Sequence, residues 1–150
     1  MSTSLTVETT RFGKFHVTRD QIWTFPSGLI GFPTATQWLL LGEDEASPLV
    51  WIQSVSHSRL ALPLISPRRF VRGYRVRVTP SELEPLQLDD DDLLFVLTTV
   101  ASAGTALTTD LRGPLLFNAS KRLSVQVVTS DDYPLQYVLP VRADSLKRSA

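Results

Sequence analysis

Apolar positions along this chain come in short runs, interrupted every few residues by Pro, Gly or charged side chains. No run sustains a 3.6-residue period. Such a pattern predicts strands: Leu5–Thr10, Phe15–Val17, Ile22–Phe25, Trp38–Leu41, Leu49–Val55, Leu60–Ile65, Tyr74–Val78, Leu93–Val100, Leu115–Phe117, Leu123–Thr129 and Tyr137–Val141. Their close spacing leaves no room for the long crossover helices of βαβ units. The expected fold is all-β: a compact, antiparallel, barrel-like single domain over 1–150, with at most one or two short helices.

Alternation assigns faces to several of these runs. In Tyr74–Val78, Tyr74, Val76 and Val78 oppose Arg75 and Arg77, and Leu123, Val125 and Val127 oppose Arg122, Ser124 and Gln126. Leu93–Val100 is apolar on both faces and reads as a strand covered on both sides. Pro63 marks Leu60–Ile65 as an edge strand or a bulge. One short helix is expected from Thr79-Pro80-Ser81-Glu82, with Pro85 ending it after a turn. Ala143–Ala150 reads as a loose tail.

The segment Phe25–Pro33 breaks the strand pattern. Pro26 and Pro33 each remove a donor and fix φ, while Gly28 and Gly31 permit φ > 0. A tight loop carrying Phe25, Leu29, Ile30 and Phe32 results, with Phe25 and Phe32 expected as anchors and Leu29 and Ile30 as the exposed pair. Gly28 and Gly31 are expected to set the bend, and replacing Gly31 with Val is expected to disturb folding.

Composition narrows the function. Cysteine is absent, which removes disulfides, thiolate metal sites and cysteine nucleophiles. Fifteen basic residues balance fifteen acidic ones, which disfavours direct nucleic-acid binding as the main activity. Arg68, Arg69, Arg72, Arg75 and Arg77 nevertheless crowd one segment, and Asp89–Asp92 form an acidic run. The N-terminus lacks the basic head and apolar run of a signal peptide, and Leu93–Ala101 is too short to span a bilayer. A soluble, cytoplasmic protein without membrane contact is expected.

Candidate chemistry is sparse. His16 and His57 have no partner at metal-ligand spacing, and four consecutive aspartates point in different directions, unlike a calcium loop. No phosphate loop, dinucleotide fingerprint or nucleophile elbow is present. No catalytic residue, metal or cofactor is assigned. What remains is adhesive surface. Trp51 and Gln53 share one strand face; if that face is buried, the Gln53 amide must find partners and could pin the Gly28–Gly31 loop. Thr109–Pro114 is a second turn-like segment that could lie at the same end. An RNA-binding barrel using Arg75 and Arg77, and a small-ligand barrel with its mouth near Trp23 and Trp51, stay open.

Taken in order, Arg11-Phe12-Gly13, Ile22-x-x-Phe25-x-x-Gly28-Leu29-x-Gly31-Phe32, Trp51-Ile52-Gln53-Ser54, Pro67-x-x-Phe70-x-x-x-Tyr74, Leu111-x-Gly113-Pro114-Leu115-x-x-Asn118, Gln126-Val127-Val128 and Tyr133-Pro134-Leu135 resemble the bacterial flagellar assembly factor FliW family. The resemblance runs from about Thr9 to about Pro140. It departs at Asp110, where the family usually has Asn, and at Ser124, where it commonly has Gly.

The resemblance implies a non-enzymatic, barrel-like protein. Family members bind the translational regulator CsrA away from its RNA face, relieving repression of flagellin mRNA, and bind flagellin, which competes. Partner contact is then expected from Phe25, Leu29, Ile30, Phe32, Trp51, Gln53, Ser54, Asp110 and Leu111, with Arg69 and Arg72 steering. Gly28, Gly31, Gly113 and Pro114 would shape the loops.

Overall fold

A computed structural model describes residues 4–42 and 47–142; the tail expectation for 143–150 falls outside them. Eleven strands follow in chain order: β1 Ser4–Thr9, β2 Gly13–Thr18, β3 Trp23–Thr24, β4 Gln37–Gly42, β5 Val50–Ser54, β6 Ala61–Ile65, β7 Leu94–Ala103, β8 Ala106–Thr109, β9 Leu115–Asn118, β10 Leu123–Gln126 and β11 Tyr137–Arg142. Pairings run β3–β4–β5–β6–β7–β9–β10 and return to β3, closing a barrel-like ring. All are antiparallel except a single parallel pair, Leu123 with Thr24, at the closure. Side chains fill the ring: Trp23, Phe25, Trp38, Ile52, Leu64 and Phe117 are all buried in one cluster. Rings there meet edge to face, Trp23 with Phe117 at 5.2 Å and Phe25 with Phe117 at 5.8 Å, an arrangement aromatic quadrupoles favour.

β1 and β2 form a separate hairpin packed on the outside of β4, where Val7, Val17, Ile22 and Leu39 make a second buried cluster. Its turn reaches β5. Arg11 stacks over the Trp51 ring at 4.4 Å, and Phe12 meets that ring edge-on at 5.6 Å.

Two strand expectations change. Tyr74–Val78 keeps its alternation but is not a strand, because its backbone bonds go elsewhere: Arg75 N donates to the Tyr133 hydroxyl and Arg77 N to Thr129 Oγ1. It is an extended strap whose Val76 and Val78 pack against Leu116 and Val125. β8 was not expected. Its one large apolar residue, Leu107, is a weak signal, yet Gly104 at φ +65° turns β7 back into it.

β7 is exposed at Leu94 and is covered on both faces only farther along. β6 is not an edge, since it has β5 on one side and β7 on the other; Pro63 lies just before the β7 pairing begins at Leu64. The helical segment, a 3₁₀ helix, runs through Pro85 to the buried Leu86 and ends at Gln87 in the left-handed region. A proline keeps helical φ and forgoes only one hydrogen bond, so it need not stop so short a helix. Single 3₁₀ turns also occur at Arg19–Gln21 and Pro67–Arg69.

The acidic run is a clamped turn. Asp92 Oδ2 accepts from Asp89 N, Asn118 Nδ2 and Lys121 Nζ, and these bonds hold its carboxyl down at about 2 from an ordinary 3.8. A depressed folded-state pKa means the stabilisation is full above the ordinary value and is lost as pH falls through about 2. Wild type should therefore exceed Asp92→Asn in melting temperature at neutral pH, and the gap should close between pH 3.8 and about 2. A gap independent of pH would contradict the clamp.

Candidate functional site

Phe25–Pro33 is built as two successive turns. Gly28 N donates to Phe25 O, with Pro26 in the second position of that turn; Phe32 N then donates to Leu29 O, with Ile30 and Gly31 between. Gly31 at φ +92° occupies the third position, where a type II turn requires φ > 0. Phe25 plugs the barrel and Ile30 is exposed, as expected, but Leu29 and Phe32 exchange roles. Leu29, at the base of the second turn, is only 4% exposed and joins the Trp23–Trp38 cluster. Ile30, at the tip, is 64% exposed, and Phe32 is 39% exposed, not an anchor. Turn position separates Leu29 from Ile30: the base residue Leu29 packs in the barrel cluster, while Ile30 stands at the exposed tip. Phe32 instead borders an open hollow of about 430 Å³ with His57, Arg59 and Leu60 on its far side.

The second segment is an excursion between β8 and β9. β8 leaves β7 at the Thr109–Val100 pair, and β9 rejoins it at Leu115–Leu97. Residues 110–114 are thereby pushed out as a bulged turn. Asp110 organises it: its Oδ1 accepts from Arg112 N at 2.9 Å and Gly113 N at 3.0 Å. An acceptor is all that this turn needs, so Asp serves where the family usually has Asn. Gly113 sits tightly: a Cβ there would lie 3.0 Å from Asp110 Oδ2, so the Asp110 side chain would have to give by a few tenths of an ångström. Pro114 is buried, and its carbonyl accepts from Val127 N. Leu111 is buried as well, and its carbonyl takes a 2.6 Å bond from the Tyr74 hydroxyl. Burial first, then neighbouring Tyr133 and Asp110, push that phenol far above its ordinary pKa and keep it a donor.

Gln126 joins the two segments. Its Oε1 accepts from Ile30 N at 2.8 Å, and its Nε2 donates to Gly113 O at 2.9 Å. The sequence supplied Gln126 only as part of a motif. Nothing in one chain links residues 96 positions apart; the outward position beside buried Val125 and Val127 was its sole signal.

Other expected contact residues serve as supports. Gln53 and Ser54 are fully buried. The Gln53 amide does pin a loop, though it is the 56–58 turn, through His57 O and Ser58 O, and not Gly28–Gly31. That turn is the one its strand runs into. Ser54 Oγ accepts from His57 N in the same turn. Trp51 is half-buried beneath Arg11 and Phe12.

Arg69 and Arg72 are exposed on the loop that leads to Tyr74. Nearby, Arg77 pairs with Asp131 at 3.2 Å and Arg112 with Asp132. Ser124 departs from glycine without backbone strain, since its φ is not positive, but its Oγ is buried with no partner.

The 126–133 segment thus meets the Ile30 tip through Gln126, pairs with Arg77 and Arg112, and carries exposed Val128. Trp23 is locked inside the filled ring, and Phe32 is the one large aromatic side chain exposed among the described residues. These placements disfavour the small-ligand and RNA-stacking readings. Among the described residues no His, Cys, Asp or Glu cluster is placed to hold a metal, and no helix is long and apolar enough to cross a membrane.

Known proteins share this fold and much of this sequence. The family profile described as FliW protein matches residues 6–139. The flagellar assembly factor FliW of Geobacter sulfurreducens is 33% identical over 126 residues, covering 83% of this chain and 79% of the relative. That of Lachnoclostridium phytofermentans is 33% identical over 132 residues, 85% of each. A crystal structure of the flagellar assembly factor FliW superposes with a TM-score of 0.83 at 25% identity, covering 89% of this chain and 96% of that one. The motif segments scattered along the sequence meet in space through Gln126, Tyr74 and Trp51, and the chain belongs to the FliW family of flagellar assembly factors.

Proposed function

We propose that this protein is a non-enzymatic, cytoplasmic regulator that binds the translational regulator CsrA and flagellin, coupling flagellin synthesis to its secretion. Family membership supports the reading. The observation that carries it is Ile30: a large apolar side chain, 64% exposed, on a double turn held by the barrel core below and by Gln126 beside it. A rigid apolar tip loses little conformational entropy on association, which is what a partner-facing anchor needs. The contact surface comprises Ile30, Phe32 and, from the 110–114 turn, the half-buried Asp110 and Arg112, while Leu29, Gln53, Ser54 and Leu111 hold it in shape. Pull-down of purified CsrA and of flagellin by the tagged chain tests this: retention of either supports the reading, and retention of neither at micromolar concentration overturns it.

Arg69 and Arg72 lie off this surface, exposed and positively charged, suited to steering an acidic partner. Clustered charge changes encounter rate more than affinity. The doubly substituted Arg69→Ala, Arg72→Ala chain should associate several-fold more slowly at low salt, with a shallower salt dependence and a dissociation rate close to wild type. Stopped-flow association across a salt series checks this, and an unchanged on-rate would remove the steering role.

A further inference from the structure

Ile30 stands at the tip of a turn whose two central residues pair with nothing else in the loop. Its amide has one protein acceptor, Gln126 Oε1, and the other end of the same side-chain amide holds Gly113 O. Gly113 in turn belongs to the turn that Asp110 closes through two backbone N–H bonds. The Gln126 side chain leaves β10 from a strand whose buried neighbours, Val125 and Val127, fix its backbone. One planar amide therefore spans two loops that have no other polar link to each other among the described residues.

We propose that Gln126 is a positioning residue that locks the Ile30 tip and the Asp110–Pro114 turn into one recognition unit. A partner then meets a preorganised pair of loops, and loosening either loop weakens contact at both. Planarity matters here, because an amide offers an acceptor and a donor at fixed separation. A Glu at 126 keeps the acceptor toward Ile30 N but sets a second oxygen against the Gly113 carbonyl. The inference rests on the partner-binding reading above, and its test is separable from it.

The test has two arms. Amide hydrogen exchange of the free protein reads the lock directly: in Gln126→Ala, exchange at Ile30 should accelerate tenfold or more, while the amides of β4 and β5 keep their protection. Affinity for whichever partner wild type binds, CsrA or flagellin, should fall about tenfold. That fall should largely vanish in an Ile30→Ala background, because coupled residues are non-additive and independent ones are not. Unchanged exchange at Ile30, or a loss of affinity fully additive with Ile30→Ala, overturns the proposal. If Gln126→Ala does not fold, Gln126→Glu takes its place, with the same loss of affinity expected and wild-type affinity overturning the proposal. A wild-type chain that binds neither partner overturns the functional reading alone, and the exchange arm then decides the lock.

Discussion

Gly28→Val should remove most of the stability of this protein, and Gly31→Val much less. Gly28 has φ +67°, and a Cβ there would stand 2.4 Å from Phe32 O and 2.6 Å from Pro33 O. Both are backbone atoms, so no rotamer change relieves the clash. Left-handed backbone costs an L-residue about 1–2 kcal/mol by itself. Displacing the loop would also withdraw Leu29 from the barrel mouth, a loss comparable to a core truncation of about 2–5 kcal/mol. Together these approach the whole stability of a small domain, about 5–15 kcal/mol. Gly31 has φ +92° but open space around it, so its substitution should cost only the backbone strain, about 1–2 kcal/mol. Urea unfolding of both variants checks the order. Equal losses, or a larger loss at Gly31, would show that backbone φ and not close approach governs the loop.

Ile30→Asp should spare the fold and abolish most of the binding. The side chain is exposed, and surface substitutions away from special features usually stay within about 0.5 kcal/mol. In a complex, the same change removes an apolar anchor and buries an unpaired carboxylate. Hot-spot losses of about 2 kcal/mol or more are then expected, which is roughly thirtyfold or greater in affinity. Leu29→Asp, one residue away, should do the opposite and unfold the chain, because Leu29 sits in the barrel cluster. Thermal melts beside a binding titration separate the two outcomes. Undiminished affinity in Ile30→Asp would move the contact surface elsewhere.

Much of the fold was legible because period-two alternation survives wherever a strand has one wet face. It failed where alternation arises without a ladder. Tyr74–Val78 alternates since its valines cover β9 and β10, yet its N–H groups bond side chains of Thr129 and Tyr133. β8 was missed because Ala106–Thr109 carries a single large apolar residue.

The site was legible in composition but not in assignment. Leu29 and Phe32 are bridge partners at the two ends of one turn and equally apolar on paper, so the sequence alone does not say which of them the barrel buries. Gln53 needs partners for its amide, but Nε2 finds them in the sequence-local carbonyls of Ser54, His57 and Ser58 and not in the Gly28–Gly31 loop. Gln126 stayed hidden because its bonds reach Ile30 and Gly113, contacts that only the closed ring creates.

Calorimetric titration of purified CsrA, and separately of flagellin, into wild type and Ile30→Asp tests the central claim most directly. The account predicts saturable micromolar or tighter binding by wild type. It also predicts a loss of at least thirtyfold in Ile30→Asp, whose melting temperature stays that of wild type. Wild-type protein giving no binding to either partner, or an Ile30→Asp chain binding as tightly as wild type, would contradict it.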